Sequence, residues 1–217
     1  MRPLVIAIDG PAAAGKGTLA RRLAAALALP HLDTGLLYRA TGRLVLDVGG
    51  DPEDAAAAAA AARRLSVADL GRGDLRGPAA DAASSAVARH ASVREALLVF
   101  QRGFPGEVGA VLDGRDIGTV VFPEASVKLF VTAEPAARAR RRWQELGGAV
   151  PLEAVEAEMR ARDARDRERG AAPLRQAEDA VLIDTTSLDA DEVFGAAMRV
   201  VAEVESGLMD ARARTAG

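Results

Sequence analysis

The sequence predicts an α/β fold built on a parallel sheet, and three observations carry that prediction. Short apolar runs of strand length recur at residues 4–9, Val108–Leu112, Val127–Val131 and Val181–Ile183. A helical pattern separates or follows each run. A glycine-rich turn joins the first run to a helix, the usual entry into a strand–turn–helix unit.

Taken in order, Leu-Val-Ile-Ala-Ile-Asp at 4–9 lacks polar alternation and reads as a strand buried on both faces. Residues 10–17 form the glycine-rich turn, and Thr18 to about Leu29 a helix closed by Pro30. No convincing core strand occurs from about Gly49 to Pro105. The eight alanines Ala55–Ala62 form a helix on propensity. Gly71-Arg72-Gly73 marks a loop, and helical stretches follow near Ala79–His90 and Val93–Gly103. The interval Thr132–Asp179 is crowded with arginine and acidic residues. Both long intervals read as helical insertions on the rim of one domain, whose core spans about 1–48, 106–132 and 180–210. The insertions span about 49–105 and 133–179. A last helix, about Asp189–Ser206, packs back, and Gly207–Gly217 is expected to fray.

Composition bounds the function. Apolar residues make up 49% of the 217, enough for a sizeable core, but aromatics are only 3%, so Ala, Leu and Val must build it. The 28 basic and 31 acidic residues nearly balance, which argues against whole-surface attraction to nucleic acid or membrane. There are no cysteines, and the two histidines, His31 and His90, are too few and too far apart for a zinc site; both read as structural. No apolar run reaches the roughly 18–20 residues of a bilayer span, and no leader pattern opens the sequence. The expectation is a cytoplasmic monomer with no nucleic-acid or membrane partner.

Gly10-Pro11-Ala12-Ala13-Ala14-Gly15-Lys16-Gly17-Thr18 has the Gly-x4-Gly-Lys spacing of a phosphate-binding P-loop, between a strand and a helix as that motif requires. Glycine lets backbone N–H groups turn inward around phosphate oxygens. The helix N-terminus adds partial positive charge. Only two of the 28 basic residues are lysines. One, Lys16, stands where the motif puts the group that reaches the β- and γ-phosphates. Thr18 is the candidate hydroxyl for Mg²⁺. Lys128 reads as a solvated strand end. Asp113 has two readings: an acid that holds Mg²⁺ through water, or an ordinary strand-terminating aspartate.

A P-loop alone fits kinases, GTPases, motors and transport ATPases. The chain is short and lacks the guanine-specifying Asn-Lys-x-Asp. Arg39 and Arg115 follow the C-terminal ends of strands, the edge where open α/β sheets bind ligands. Guanidinium groups there can hold a second phosphate facing the first.

These blocks are accompanied by Leu32-Asp-Thr-Gly-Leu-Leu-Tyr-Arg39, Val93-Arg-Glu-Ala-Leu-Leu98, Asp113-Gly-Arg-Asp-Ile-Gly-Thr-Val-Val-Phe-Pro123 and Arg162-Asp-Ala-Arg-Asp-Arg-Glu-Arg169. In that order they resemble the bacterial cytidylate kinases, from about Val5 to Phe194. The resemblance implies transfer of the ATP γ-phosphate to CMP or dCMP, with Mg²⁺, on a P-loop NTPase-type three-layer fold with a five-stranded parallel sheet. It implies that the first insertion binds the acceptor and the second is a mobile lid. It places Thr34, Arg39, Ser85, Arg94, Arg115, Asp116, Arg162, Asp166 and Arg169 at the CMP site. Arg142 falls near adenine, and Arg165 and Arg169 face phosphates. Thr34 stands where the family usually has serine; the hydroxyl is kept. Between Leu65 and Ser85 the chain is shorter than the family, so the small sheet of the first insertion is expected to be reduced or missing.

The chemistry supports the same assignment. Cytosine offers an amino donor and two acceptors, and Asp116 with Arg94 has the matching polarity. Uracil would set a carbonyl oxygen against Asp116. The CMP phosphate is already ionised, so no general base is required, and catalysis reduces to alignment and charge stabilisation by Lys16, Arg115, Arg165 and Arg169. The alternatives are a kinase for another monophosphate such as UMP, a nucleotide-binding regulatory module, or an RNA-associated ATPase. One Trp and one Tyr give little stacking surface for RNA.

Overall fold

In the computed structural model, which describes the backbone of residues 3–215 and side chains to residue 207, five parallel strands form one sheet. They are β1 (Leu4–Asp9), β2 (His31–Asp33), β3 (Gly109–Gly114), β4 (Val127–Thr132) and β5 (Val181–Asp184), in the order β2-β3-β1-β4-β5. Four of them match the predicted runs. The exception, β2, is a three-residue strand that no apolar run announces. It exists because His31–Asp33 ladders onto Val111–Asp113 of β3.

Side chains alternate across β1. Val5 and Ala7 enter a core on one face with α2 (Thr34–Asp47), α3 (Ala55–Arg64) and α5 (Ala91–Gly103). Ile6 and Ile8 enter a core on the other face with α1 (Lys16–Leu27) and α8 (Ala190–Thr215). Both faces of the sheet are covered, as the unbroken apolar runs predict. Helix α8 runs on past Gly207; residues 216–217 of the tail expected to fray lie outside the described residues.

The long intervals are helical. Between β2 and β3 come α2, α3, a short 3-10 turn at Val67–Gly71, α4 (Pro78–Val87) and α5, and no strand occurs there among the described residues. The small sheet expected to be reduced is therefore missing. Helix α4 lies tightly on α2, where a Cβ added at Gly42 would fall 2.8 Å from the Ala83 Cβ. Between β4 and β5 come α6 (Pro135–Glu145) and α7 (Leu152–Glu168), which share a small core of Ala139, Val155 and Met159.

Lys128 corrects the sequence reading. It is not a solvated strand end: its side chain is buried, and Nζ donates to the Pro123 carbonyl and to both oxygens of Asp179, at 2.9 and 2.7 Å. The apolar stem lies against Gly118. No helix of the described residues is long and apolar enough to cross a membrane.

Candidate active site

The site forms where β1 and β3 end side by side, with Asp9 registered on Gly114 and Ile8 on Asp113. The chain reverses its order along the sheet there, and such a crevice is where open α/β sheets take ligands.

The β1–α1 loop forms one wall. Gly10 has φ 149°, and a Cβ there would fall 1.9 Å from the Val131 carbonyl oxygen, so only glycine fits. Ala13 (φ 56°) and Gly15 (φ 90°) are left-handed, which turns the loop back on itself. Gly15 caps α1 without a side-chain hydrogen bond, and no acid occupies the first turn. The helix therefore presents open N–H groups and positive partial charge to the cavity. Lys16 is buried and donates to the Pro11 carbonyl at 2.6 Å. Burial, then the neighbouring Arg115, push its pKa down to about 7; Asp113, Asp9 and Asp33 oppose this. An anion at the loop would reverse that depression.

The strand ends supply acids. Asp113 accepts from, or pairs with, His31 Nε2 at 2.7 Å, and its other carboxylate oxygen faces Gly17 of the loop. His31, expected to be structural, thus contacts a site acid, whereas the His90 ring pairs with the Pro52 carbonyl at 3.0 Å. Thr34 donates from Oγ1 to the Asp113 carbonyl at 2.8 Å, tying β2 to β3. Asp33, whose pKa is raised by burial and then by Asp113, completes the group.

Arginines form the opposite wall. Arg115 Nε donates to Asp166 at 2.8 Å; burial works to lower its pKa, but Asp166 prevails and holds it above the ordinary range. Arg94 pairs with Asp116, and its guanidinium sits 5.4 Å from the Tyr38 ring centroid. On α7 the face that carries Arg162 and Asp166 continues to Arg169, since steps of three and four residues share a helix face. The Nε atoms of Arg162 and Arg169 are buried with no hydrogen-bond partner among the described residues.

One cavity of about 820 Å³ lies between the walls. From the loop, Ala12, Ala13, Ala14, Gly15, Lys16, Gly17 and Thr18 line it; Gly10 and Pro11 do not, though the Pro11 carbonyl holds Lys16. From the other elements come Thr34, Arg39, Ser85, Arg94, Arg115, Asp116, Arg142, Arg162, Asp166 and Arg169. Arg165 is the exception. It is exposed to solvent and lines a second cavity of about 280 Å³ with Arg89, Glu168, Gly170 and Arg169, the last of which lines both cavities. Arg142 is held by Asp81 at 2.6 Å and Glu145 at 3.1 Å.

Sequence reasoning missed two acids. Asp9 is buried and accepts from the backbone N–H of Ile117 (2.8 Å) and Gly118 (2.7 Å), which fixes the turn carrying Arg115 and Asp116. Burial raises its pKa to about 6 against those two hydrogen bonds. An acid that ends an otherwise apolar strand was its only signal. Asp81, the one charge in the Ala-rich helix α4, receives Arg39, Arg142 and Arg162.

An α/β/α sheet with a P-loop at the end of β1, facing arginines across one cavity, defines a kinase of the P-loop type. The fold is shared with an uncharacterised protein of Eubacterium ventriosum (TM-score 0.53, 15% identity, covering 94% of this chain and 99% of that one). It is shared also with a gluconokinase of Sinorhizobium meliloti (TM-score 0.50, 12% identity, 96% and 98%); at such identities the likeness is one of fold alone. The chain belongs to the cytidylate kinase family, whose model matches residues 6–203. A cytidylate kinase of Acidiphilium cryptum is 63% identical over 206 residues, 94% of this chain and 97% of that protein. The chain is accordingly a phosphotransferase, a nucleoside monophosphate kinase.

Proposed function

We propose that the protein transfers the γ-phosphoryl group of ATP to CMP or dCMP, with ATP on the β1–α1 loop and the acceptor on the arginine wall. One observation carries the reading: loop and arginines face each other across a single cavity, so two anionic nucleotides can lie end to end. Ala12–Thr18 and Lys16 take the ATP phosphates, and Lys16 becomes fully charged as they arrive.

Thr18 and Asp113 are the oxygen donors beside the loop, and one Asp113 oxygen faces Gly17 rather than His31. A hydroxyl and a carboxylate, with phosphates completing the shell, suit Mg²⁺, which keeps several waters and takes few protein ligands. When bound, the ion neutralises charge on the β- and γ-phosphates.

On the acceptor side Arg39 and Arg115 hold the CMP phosphate. Thr34 and Ser85 offer hydroxyls, and Arg162 with Asp166 suits the sugar. Asp116 gives one carboxylate oxygen to Arg94 and keeps the other for the cytosine amino group, while Arg94 donates to a ring acceptor. The segment about 49–105 serves as the acceptor-binding insertion and about 133–179 as the lid, whose closure excludes water. Arg169 faces the transferring group, and Arg142 lies toward adenine. A cytoplasmic monomer fits this reading: the chain has no cysteine, and one chain supplies every group named.

A coupled ADP-release assay across CMP, dCMP, UMP, AMP and GMP tests it. CMP and dCMP should be used well and UMP poorly. UMP turnover equal to that of CMP would refute the role given to Asp116, and no turnover with any monophosphate would refute the kinase reading.

A further inference from the structure

Asp81 has no part in the chemistry above, yet it is the most heavily paired acid of the described residues. It is 4% exposed. Its Oδ1 receives Arg39 of α2 and Arg162 of α7, the latter at 2.9 Å, and its Oδ2 receives Arg142 of α6 at 2.6 Å. One carboxylate therefore joins the core, the first insertion and the second. The three arginines line the cavity, and Asp81 lies behind them. Burial presses the Arg39 pKa below its ordinary range, Asp81 opposes this most strongly, and Arg162 and Arg142 add repulsion. Three guanidinium groups this close, in a part-buried site, do not stay gathered without an anion.

We propose that Asp81 is a positioning residue: the buried counter-ion that gathers Arg39, Arg142 and Arg162 into the cavity wall and clasps α6 and α7 onto α4 before any nucleotide binds. The proposal rests on reading α6–α7 as the lid. Its consequence is a closed population already present in the free protein, so nucleotides do not have to assemble it. Removing the carboxylate lowers that population, and apparent affinity falls by the same factor. Bound phosphates then provide the missing anion, so turnover at saturation is largely kept.

The test uses the near-isosteric Asp81→Asn, with Asp81→Glu as rescue. KM for both ATP and CMP should rise about tenfold, as a tenfold drop in the competent population requires, while kcat changes little; Asp81→Glu should recover much of the loss. The chain has no cysteine, so Ala82→Cys on α4 and Ala157→Cys on α7, both exposed, can carry spin labels. Their separation in nucleotide-free protein should be narrow with Asp81 and longer and broader with Asn. Should Asp81→Asn not fold, Arg142→Met removes one arm and should broaden the separation likewise. An unchanged separation, an unchanged or lowered KM, or a loss confined to kcat would overturn the clasp. If the unmutated protein releases no ADP with CMP, the kinase reading fails instead, and the label separation still decides the clasp.

Discussion

Replacing Lys16 by methionine should make the nucleotide-free protein more stable while it abolishes turnover. Lys16 is held by the fold at a pKa of about 7 against an ordinary 10.5, through burial and then Arg115. At about 1.4 kcal/mol per pH unit, charging it in place costs on the order of 4 kcal/mol at pH 7. Methionine has similar length and no charge, so it removes that cost. It also strips the Pro11 carbonyl of a donor at 2.6 Å, a loss of about 1–3 kcal/mol. A net gain of about 1–3 kcal/mol remains.

The sign in pH follows from linkage. The folded protein releases the Lys16 proton from about pH 7, whereas the unfolded chain keeps it to about 10.5. Between those values the unfolded state binds more protons, so this contribution makes the unmutated protein more stable as pH rises. The advantage of Lys16→Met is therefore widest at and below pH 7 and closes toward pH 10. Urea denaturation of both proteins at pH 7 and pH 10, without nucleotide, measures it. Saturating ATP should stabilise the unmutated protein much more than the variant. A variant less stable at pH 7, or a difference that ignores pH, would show that Lys16 carries no such strain.

Arg115→Ala should raise the KM for CMP and lower kcat together, because the group is placed to hold the acceptor through the reaction; steady-state kinetics near the unmutated values would reject that contact. Asp9→Asn should lose the pH dependence that Asp9 imposes. Its pKa of about 6 against an ordinary 3.8 makes the unmutated protein lose about 2 kcal/mol relative to the variant between pH 4 and 7, and parallel denaturation curves across that range would contradict it. Gly42→Ala should cost about 1–3 kcal/mol in urea denaturation, since its Cβ would meet Ala83 at 2.8 Å; an unchanged midpoint would mean α2 and α4 part without strain.

The candidate site was legible wherever chemistry dictates consecutive residues. A loop that wraps phosphate needs its glycines, its lysine and its helix start in a fixed run, and Gly10–Thr18 shows all three. Arg39, Arg115 and Asp116 follow strand ends, so the parallel fold alone sends them to one edge. An arginine-rich helix gives no internal sign of which residues line which cavity, so the sequence did not separate Arg165, exposed in the second cavity, from Arg169, which lines both. Asp81 and Asp9 were invisible for the opposite reason: each is one acid in an apolar run, and its partners lie far off in sequence.

By itself the sequence determined the class of fold, four of the five strands, the helical character of both insertions and the phosphate loop. All of these rest on local periodicity or on contiguous motifs, which act over a few residues. Only the tertiary structure decided that Lys128 is buried against Asp179 and that Asp81 gathers arginines from three helices. Those outcomes depend on partners 42 to 81 residues away brought together by packing, and no local pattern records them.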